Sequence, residues 1–176
     1  MQGQVATSVR GTLQYNLLFG LSERLVFHSE QLVDVLKKVG LWDLFKDKEG
    51  LATLIGEGGF TLSGGQRQRL NFANLYLRAQ FFKPLVILID EPTSSLDDVS
   101  EKKITDMILE LSQTSVTLVI AHRLTTVAQA AGLLDCSLLS FEKEMTFYSH
   151  DALLERSAYY RELMSGKKQL EQDAGL

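Results

Sequence analysis

Cysteine occurs once in the 176 residues, at Cys136, so no intrachain disulfide can form and a reduced, intracellular setting is expected. Long apolar runs are missing too. Wholly apolar stretches such as Leu85 to Ile89 fall far short of the ~20 residues that a membrane-spanning helix requires, and no signal-peptide pattern follows Met1. The chain is expected to be soluble by itself and to reach a membrane only through a partner. An excess of positive charge is absent: 18 Lys+Arg stand against 22 Asp+Glu, a net charge of −4, with a pI near 5.4. That removes the electrostatic case for general nucleic-acid binding. A last absence concerns a motif. No G-x-x-x-x-G-K-S/T loop occurs anywhere, so this chain lacks the usual means of cradling the phosphates of a nucleotide by itself.

What is present suffices for a core. Apolar residues make up 45% of the chain, enough for one domain or two subdomains. Residues 1 to 20 lack helical periodicity and read as a loop leading into a short apolar turn, Leu17 to Phe19. Ser29 then precedes Leu32, Val35, Leu36 and Val39, an amphipathic stripe stopped by Gly40. Gly50 to Gly59 reads as glycine-rich loop. Ser63 with Gln66 three residues on forms an S-x-x-Q capping box, opening a helix expected to run to about Gln80.

After Pro84 the texture changes. Leu85 to Ile89 is a short apolar run with β-branched residues, read as a strand covered on both faces in a parallel sheet. A helix capped by Asp98 or Ser100 carries Ile104, Met107, Ile108 and Leu111. Val116 to Ala121 is a second buried strand, followed by a short helix from Thr125 to Ala131. Leu133 to Phe141 and Met145 to Tyr148 read as two strands around Glu142-Lys143-Glu144. Asp151 opens a final helix through Leu163, with a polar tail after Gly166. The fold class is α/β, a helical subdomain followed by a partial, mostly parallel core sheet with flanking helices.

Two segments carry chemistry. Leu62 to Leu70 (LSGGQRQRL) is a glycine turn opening a helix. Helix starts expose unpaired N–H groups and the positive end of the dipole, which favour anions. Gly64 and Gly65 remove side chains where a phosphate would approach, and the Ser63 hydroxyl can donate to it. Ser-Gly-Gly alone would be an ordinary capped loop; the nine-residue string is more specific. Val86 to Ile89 runs into Asp90 and Glu91, carboxylates that diverge because strand side chains alternate. One can hold Mg²⁺ through its hydration shell while the other orients an attacking water. His122 follows the second strand, at the end of a parallel sheet where ligands gather; His28 and His150 read as structural.

Together these motifs resemble the ATP-binding cassette of ABC transporters. Leu62 to Leu70 is similar to the family signature, Val86 to Glu91 to its Walker B strand, Ser94-Ser95-Leu96-Asp97 to its D-loop, and His122 in Ala-His-Arg to its switch histidine. Gly11 to Gly20 is similar to the exporter pattern G-T-hydrophobic-x-x-N-hydrophobic-x-F-G, which places the Q-loop glutamine at Gln4. Gly56-Glu57-Gly58-Gly59 resembles the exporter loop that touches transmembrane coupling helices. The resemblance spans residues 4 to about 164. It implies ATP and Mg²⁺ as cofactors, Glu91 as general base, Asp90 and Gln4 on the magnesium side with Gln4 also sensing the attacking water, and His122 at the γ-phosphate. It further implies that Asp97 communicates across a head-to-tail dimer, in which Ser63, Gly64, Gly65 and Gln66 close on ATP held by a second nucleotide-binding domain.

The family's Walker A and adenine-stacking loops belong upstream of Gln4, so the resemblance is to the C-terminal part of a cassette: a truncated form, a proteolytic product or a gene remnant. Asn71 to Pro84 is a few residues longer than the family pattern, Asn74 stands near a usual arginine, and the 142–144 turn lacks the usual glycine. The implied division is 1–83 as Q-loop and signature subdomain, 84–166 as core remnant and 167–176 as tail. The expected parent is an exporter ATPase at the cytoplasmic face of a membrane, with Glu57 near the transmembrane domain, no nucleic acid bound, and self-association and no activity for the fragment alone. Two alternatives are a soluble ABC-type ATPase of DNA repair or translation, and a degenerate cassette serving as a binding surface.

Overall fold

The computed structural model describes residues 10–21, 27–121, 123–136, 138 and 146–173. It divides into two compact units, residues 1–120 and 121–176; the expected division at 83/84 runs through the first.

In the first unit β1 (Gly11–Thr12) pairs antiparallel with β2 (Leu54–Ile55), more than forty residues along the chain. Thr12 then caps α1 (Leu13–Leu18), its Oγ1 accepting from the Tyr15 N–H at 3.1 Å. This helix corrects the expectation of a loop and turn. With only Leu13 and Leu17 as a fully buried i, i+4 pair, it is too short for periodicity to reveal. In α2 (Ser29–Lys38) Leu32, Val35 and Leu36 are buried, as the stripe requires. Val39 is fully buried just beyond it, and Gly40 stops the run at φ +67°, a left-handed conformation that glycine adopts at little cost.

Ser63 caps α3 (Gly64–Phe82) through the expected box: Ser63 Oγ accepts from the Gln66 N–H at 3.2 Å, and Gln66 Oε1 accepts from the Ser63 N–H at 2.9 Å. The helix runs two residues past Gln80, ending at left-handed Lys83. Asn74 joins it to α1, donating to the carbonyls of Leu17 at 2.6 Å and Phe19 at 3.0 Å.

The strands β3 (Val86–Asp90) and β4 (Val116–Ile120) pair in parallel, Val86 opposite Val116 through Asp90 opposite Ile120. Between them α4 (Asp98–Ser112) buries Ile104, Met107, Ile108 and Leu111. Its cap is Asp97, not Asp98 or Ser100. The expectation of strands covered on both faces is corrected here. Ile87 and Ile89 are buried, but Val86, Leu88, Val116, Leu118 and Ile120 are 53%, 71%, 63%, 41% and 61% exposed. Helices cover one face of this two-stranded sheet, and among the described residues nothing covers the other.

A polar cluster ties three helices of this unit together. Lys38 Nζ of α2 donates to Glu110 of α4 at 2.7 Å and to the Tyr76 hydroxyl of α3 at 3.0 Å, and Tyr76 donates to Glu110. Hydrogen bonds from Lys38 and then Tyr76 hold the Glu110 carboxyl below its ordinary value of 4.5. Burial pulls Lys38 down, but its bonds to Glu110 and Tyr76 outweigh this and raise it above 10.5; burial first, then the bond to Glu110, raises Tyr76 above 10.0. The lowered group contributes stability above pH 4.5 that is lost as pH falls through its folded value. The raised groups contribute below pH 10 and lose it as pH rises through theirs. Glu110→Gln should therefore cost about 0.5–1 kcal/mol at pH 7 for this half-exposed pair. Urea unfolding should show the deficit shrinking below pH 4.5; a deficit unchanged in acid would refute the assignment.

In the second unit, α5 (Leu124–Val127) is shorter than the expected 125–131 helix. Of the expected strand pair, the described residues hold one antiparallel bridge, Leu133 with Tyr148; Glu142-Lys143-Glu144 lies outside them. The expected single C-terminal helix is two, α6 (His150–Arg156) and α7 (Ala158–Asp173). Ser157 breaks it: almost wholly buried, it accepts from the Tyr160 N–H at 2.9 Å and donates to Asp135, so its side chain starts a new helix instead of continuing the old. His150 Nδ1 pairs with the Tyr160 hydroxyl, which fits its structural reading. No described helix is long and apolar enough to cross a membrane.

Candidate functional site

The start of α3 and the turn after β3 meet in the first unit. Ser63 and Gly64 are exposed. A Cβ on Gly64 would meet nothing within 4 Å, whereas one on Gly65 would stand 2.8 Å from the Ser95 carbonyl oxygen. The two glycines thus do different things. Gly64 leaves the helix start open to solvent, as an approaching anion needs; Gly65 lets α3 pack against the loop that follows β3. That second role was not legible in the sequence, which suggested one purpose for both. In the capping box Ser63 Oγ acts as acceptor, so its hydroxyl hydrogen can still be donated outward.

Asp90 ends β3 on the exposed face, opposite Ile120. The next residue, Glu91, has φ +45°, a left-handed backbone unfavourable for a residue with a side chain. Hydrogen bonds hold its peptide units on both sides: the Glu91 N–H donates to the Ile120 carbonyl at 2.9 Å, and the Glu91 carbonyl accepts from Gln68 Nε2 at 2.7 Å and, at longer range, from the Ser94 hydroxyl at 3.4 Å and the Ser94 N–H at 3.5 Å. The turn redirects the chain at the strand end, and it places the two carboxylates on peptide units of different conformation. The one sequence signal was Pro92, since the residue before a proline is disfavoured from right-handed helix.

Gln68 lies within the LSGGQRQRL string but had no role assigned from sequence. Besides the Glu91 carbonyl, its Nε2 donates to Ser94 Oγ at 3.3 Å, and its Oε1 accepts from the Ser95 N–H at 3.2 Å. Arg69 beside it donates to the carbonyls of Val39 at 3.2 Å and Gly40 at 3.0 Å. Asp97 caps α4, accepting from the Ser100 N–H and hydroxyl, both at 2.9 Å. The Ser100 N–H above all, then its hydroxyl, and to a lesser degree the charge of Arg69, hold the Asp97 carboxyl below its ordinary value.

Of the other expected residues, Glu57 is exposed between Gly56 and Gly58, whose φ values are +96° and +80°. Gln4 and His122 lie outside the described residues. Among the described residues no group of three or more His, Cys, Asp or Glu could hold a metal. Asp90 offers one carboxylate, a donor set that suits Mg²⁺ shared with nucleotide phosphates and not an all-protein cage.

This arrangement of glycine-capped helix and acid-tipped strand has counterparts in known proteins. The family model described as ABC transporter matches residues 6–94, which takes in β1 through the turn after β3. The chain belongs to the ABC transporter family. The cassette is 36% identical over 154 residues to the ABC transporter ATP-binding protein YwjA of Bacillus subtilis, covering 87% of this chain and 25% of that protein. It is 33% identical over 153 residues to the ATP-dependent lipid A-core flippase of Francisella tularensis, covering 86% of this chain and 24% of the flippase. Among solved structures it superposes on a bacterial Atm1-family ABC exporter with ATP bound, at a TM-score of 0.74 and 27% identity, over 94% of this chain and 28% of the exporter. The fold is thus that of an ABC cassette, with small partial sheets and flanking helices. The cassette spans about a quarter of the length of these relatives.

Proposed function

We propose that this cassette is the signature and Walker B portion of an exporter-type ATPase, in which ATP hydrolysis at a composite dimer interface drives transport. The observation that carries this reading is the junction just described: an open, serine-capped helix start held beside a strand that ends in Asp90 and Glu91. The exporter relatives support the same assignment.

Ser63, Gly64, Gly65 and Gln66 form the cap that closes on the triphosphate of ATP bound by a second nucleotide-binding domain, related head to tail. Glu91 accepts the proton of the attacking water and aligns it. Asp90 holds the magnesium side of the site, and Gln4 takes the role of sensing the magnesium and the attacking water. Mg²⁺, when bound with ATP, neutralises charge on the phosphates. His122 contacts the γ-phosphate, and Asp97, rigid as a helix cap, carries the state of one composite site to the other. Residues 1–83 act as the Q-loop and signature subdomain, with Glu57 facing a transmembrane domain, and 84–166 act as the catalytic core. The site of action is the cytoplasmic face of a membrane.

These parts act on a nucleotide gripped elsewhere. The sequence supplies no loop of successive backbone N–H groups and lysine for a triphosphate, and a helix N-terminus alone is a weak anchor. Isothermal titration of the isolated 176-residue chain with Mg·ATP should show no saturable heat at micromolar ligand. Tight binding would refute this division of labour.

A further inference from the structure

We propose that Gln68 is the positioning residue for Glu91, a side-chain clasp that holds the left-handed turn and fixes it to the signature helix. The inference deepens the functional reading above and rests on Glu91 being the water-activating base.

Three observations converge on it. First, the Gln68 amide spans to residues 23 to 27 positions away, bonding Glu91, Ser94 and Ser95. Its orientation is not arbitrary. The Ser95 N–H can only donate and the Glu91 carbonyl can only accept, so Oε1 must face the former and Nε2 the latter. Second, Glu91 holds a backbone conformation, φ +45°, that is unfavourable for a side-chain-bearing residue and persists only where surroundings over-determine it. Its N–H is tied to β4 and its carbonyl most closely to Gln68 at 2.7 Å, with the longer bonds from Ser94 beside it, so the peptide units on both sides are fixed. Third, Gly65 lies three residues before Gln68, on the same helix face, and its Cα packs against the Ser95 carbonyl closely enough to leave no room for a Cβ. The face of α3 that holds the clasp is thus shaped to the loop it grips.

The consequence is mechanical. Gln68 stands little more than one helical turn from Ser63, so a displacement of the helix start by a bound phosphate would be transmitted to the Glu91 peptide. The direction of the Glu91 carboxylate follows from that peptide.

The test reads the backbone of the full chain by NMR, apart from any turnover. In the wild-type chain, a through-hydrogen-bond coupling between Gln68 Nε2 and the Glu91 carbonyl carbon is expected. Gln68→Ala should speed exchange of the Ser95 amide by about twofold to tenfold, the loss expected for one hydrogen bond, and shift the φ-sensitive HN–Hα coupling and Cα resonance of Glu91. Gln68→Glu can still accept from Ser95 but cannot donate to Glu91. It should restore Ser95 protection and leave the Glu91 signature shifted. Amides of α4 should exchange at wild-type rates in both variants. Absence of the wild-type coupling, or unchanged Glu91 resonances in both variants, overturns the proposal. Should Glu91→Gln leave turnover intact, the catalytic reading fails while these backbone results stand, so the two failures are distinguishable.

Discussion

Glu91→Gln in the complete transporter should lower ATP turnover by about 10²–10⁴-fold, the range for loss of a positioned general base, while nucleotide affinity stays near wild type. The two side chains are nearly isosteric, so the left-handed turn and its bonds to Ile120 and Gln68, which involve only backbone atoms of Glu91, should survive. What is lost is the ability to accept a proton. Turnover should therefore fall with little change in KM. Asp90→Asn should behave differently, weakening the Mg²⁺ dependence of the reaction. Steady-state hydrolysis measured beside equilibrium nucleotide binding separates the two. Turnover of Glu91→Gln within a few-fold of wild type would remove Glu91 from the role of base.

Leu88→Lys combined with Ile120→Lys should abolish a concentration-dependent self-association that the isolated wild-type chain is expected to show. Val86, Leu88, Val116, Leu118 and Ile120 form one contiguous apolar face on β3 and β4, exposed by 41% to 71%. Full burial of such a side chain is worth roughly 1.5–3 kcal/mol, so covering what remains exposed on all five yields about 4–9 kcal/mol per copy and about 9–17 kcal/mol when two copies pair. Association costs at least about 4 kcal/mol in lost freedom. The two apolar faces together can offset that cost, and pairing of the strand edges contributes further stabilisation. A second copy of this chain offers both the same face and the same edges. Light scattering across a concentration series should show the mass rising for wild type and staying monomeric for the double variant. The lysines replace side chains that face solvent in the single chain, so at dilutions where wild type is monomeric the unfolding midpoint should barely move. A wild-type chain that remains monomeric at every concentration would rule out this surface as a self-association site.

The local features of the candidate site were legible from residues a few positions apart. Ser63 and Gln66 cap α3 as the S-x-x-Q spacing requires, because each partner lies within one turn of the other. The stripe of α2 and the apolar face of α4 are buried as their periods demand. Less was legible where two local signals competed. Asp98 and Ser100 were the candidates for the start of α4, yet Asp97 caps it because its carboxylate reaches both the N–H and the hydroxyl of Ser100. Ser157 sat unmarked in an apparently continuous helical pattern, and the hydrogen bonds of its side chain to Tyr160 and Asp135 end one helix and begin the next.

The amino-acid order by itself determined the strand–helix alternation, the capped start of α3 and the pair of acids at the end of β3, since these depend on neighbours along the chain. Only tertiary structure decided that β3 and β4 keep one apolar face open, since an apolar run reads alike whether one face is covered or both. Only it decided the separate duties of Gly64 and Gly65 and the clasp of Gln68 on Glu91. Those follow from contacts between segments more than twenty residues apart, and spacing along a chain carries no record of such contacts.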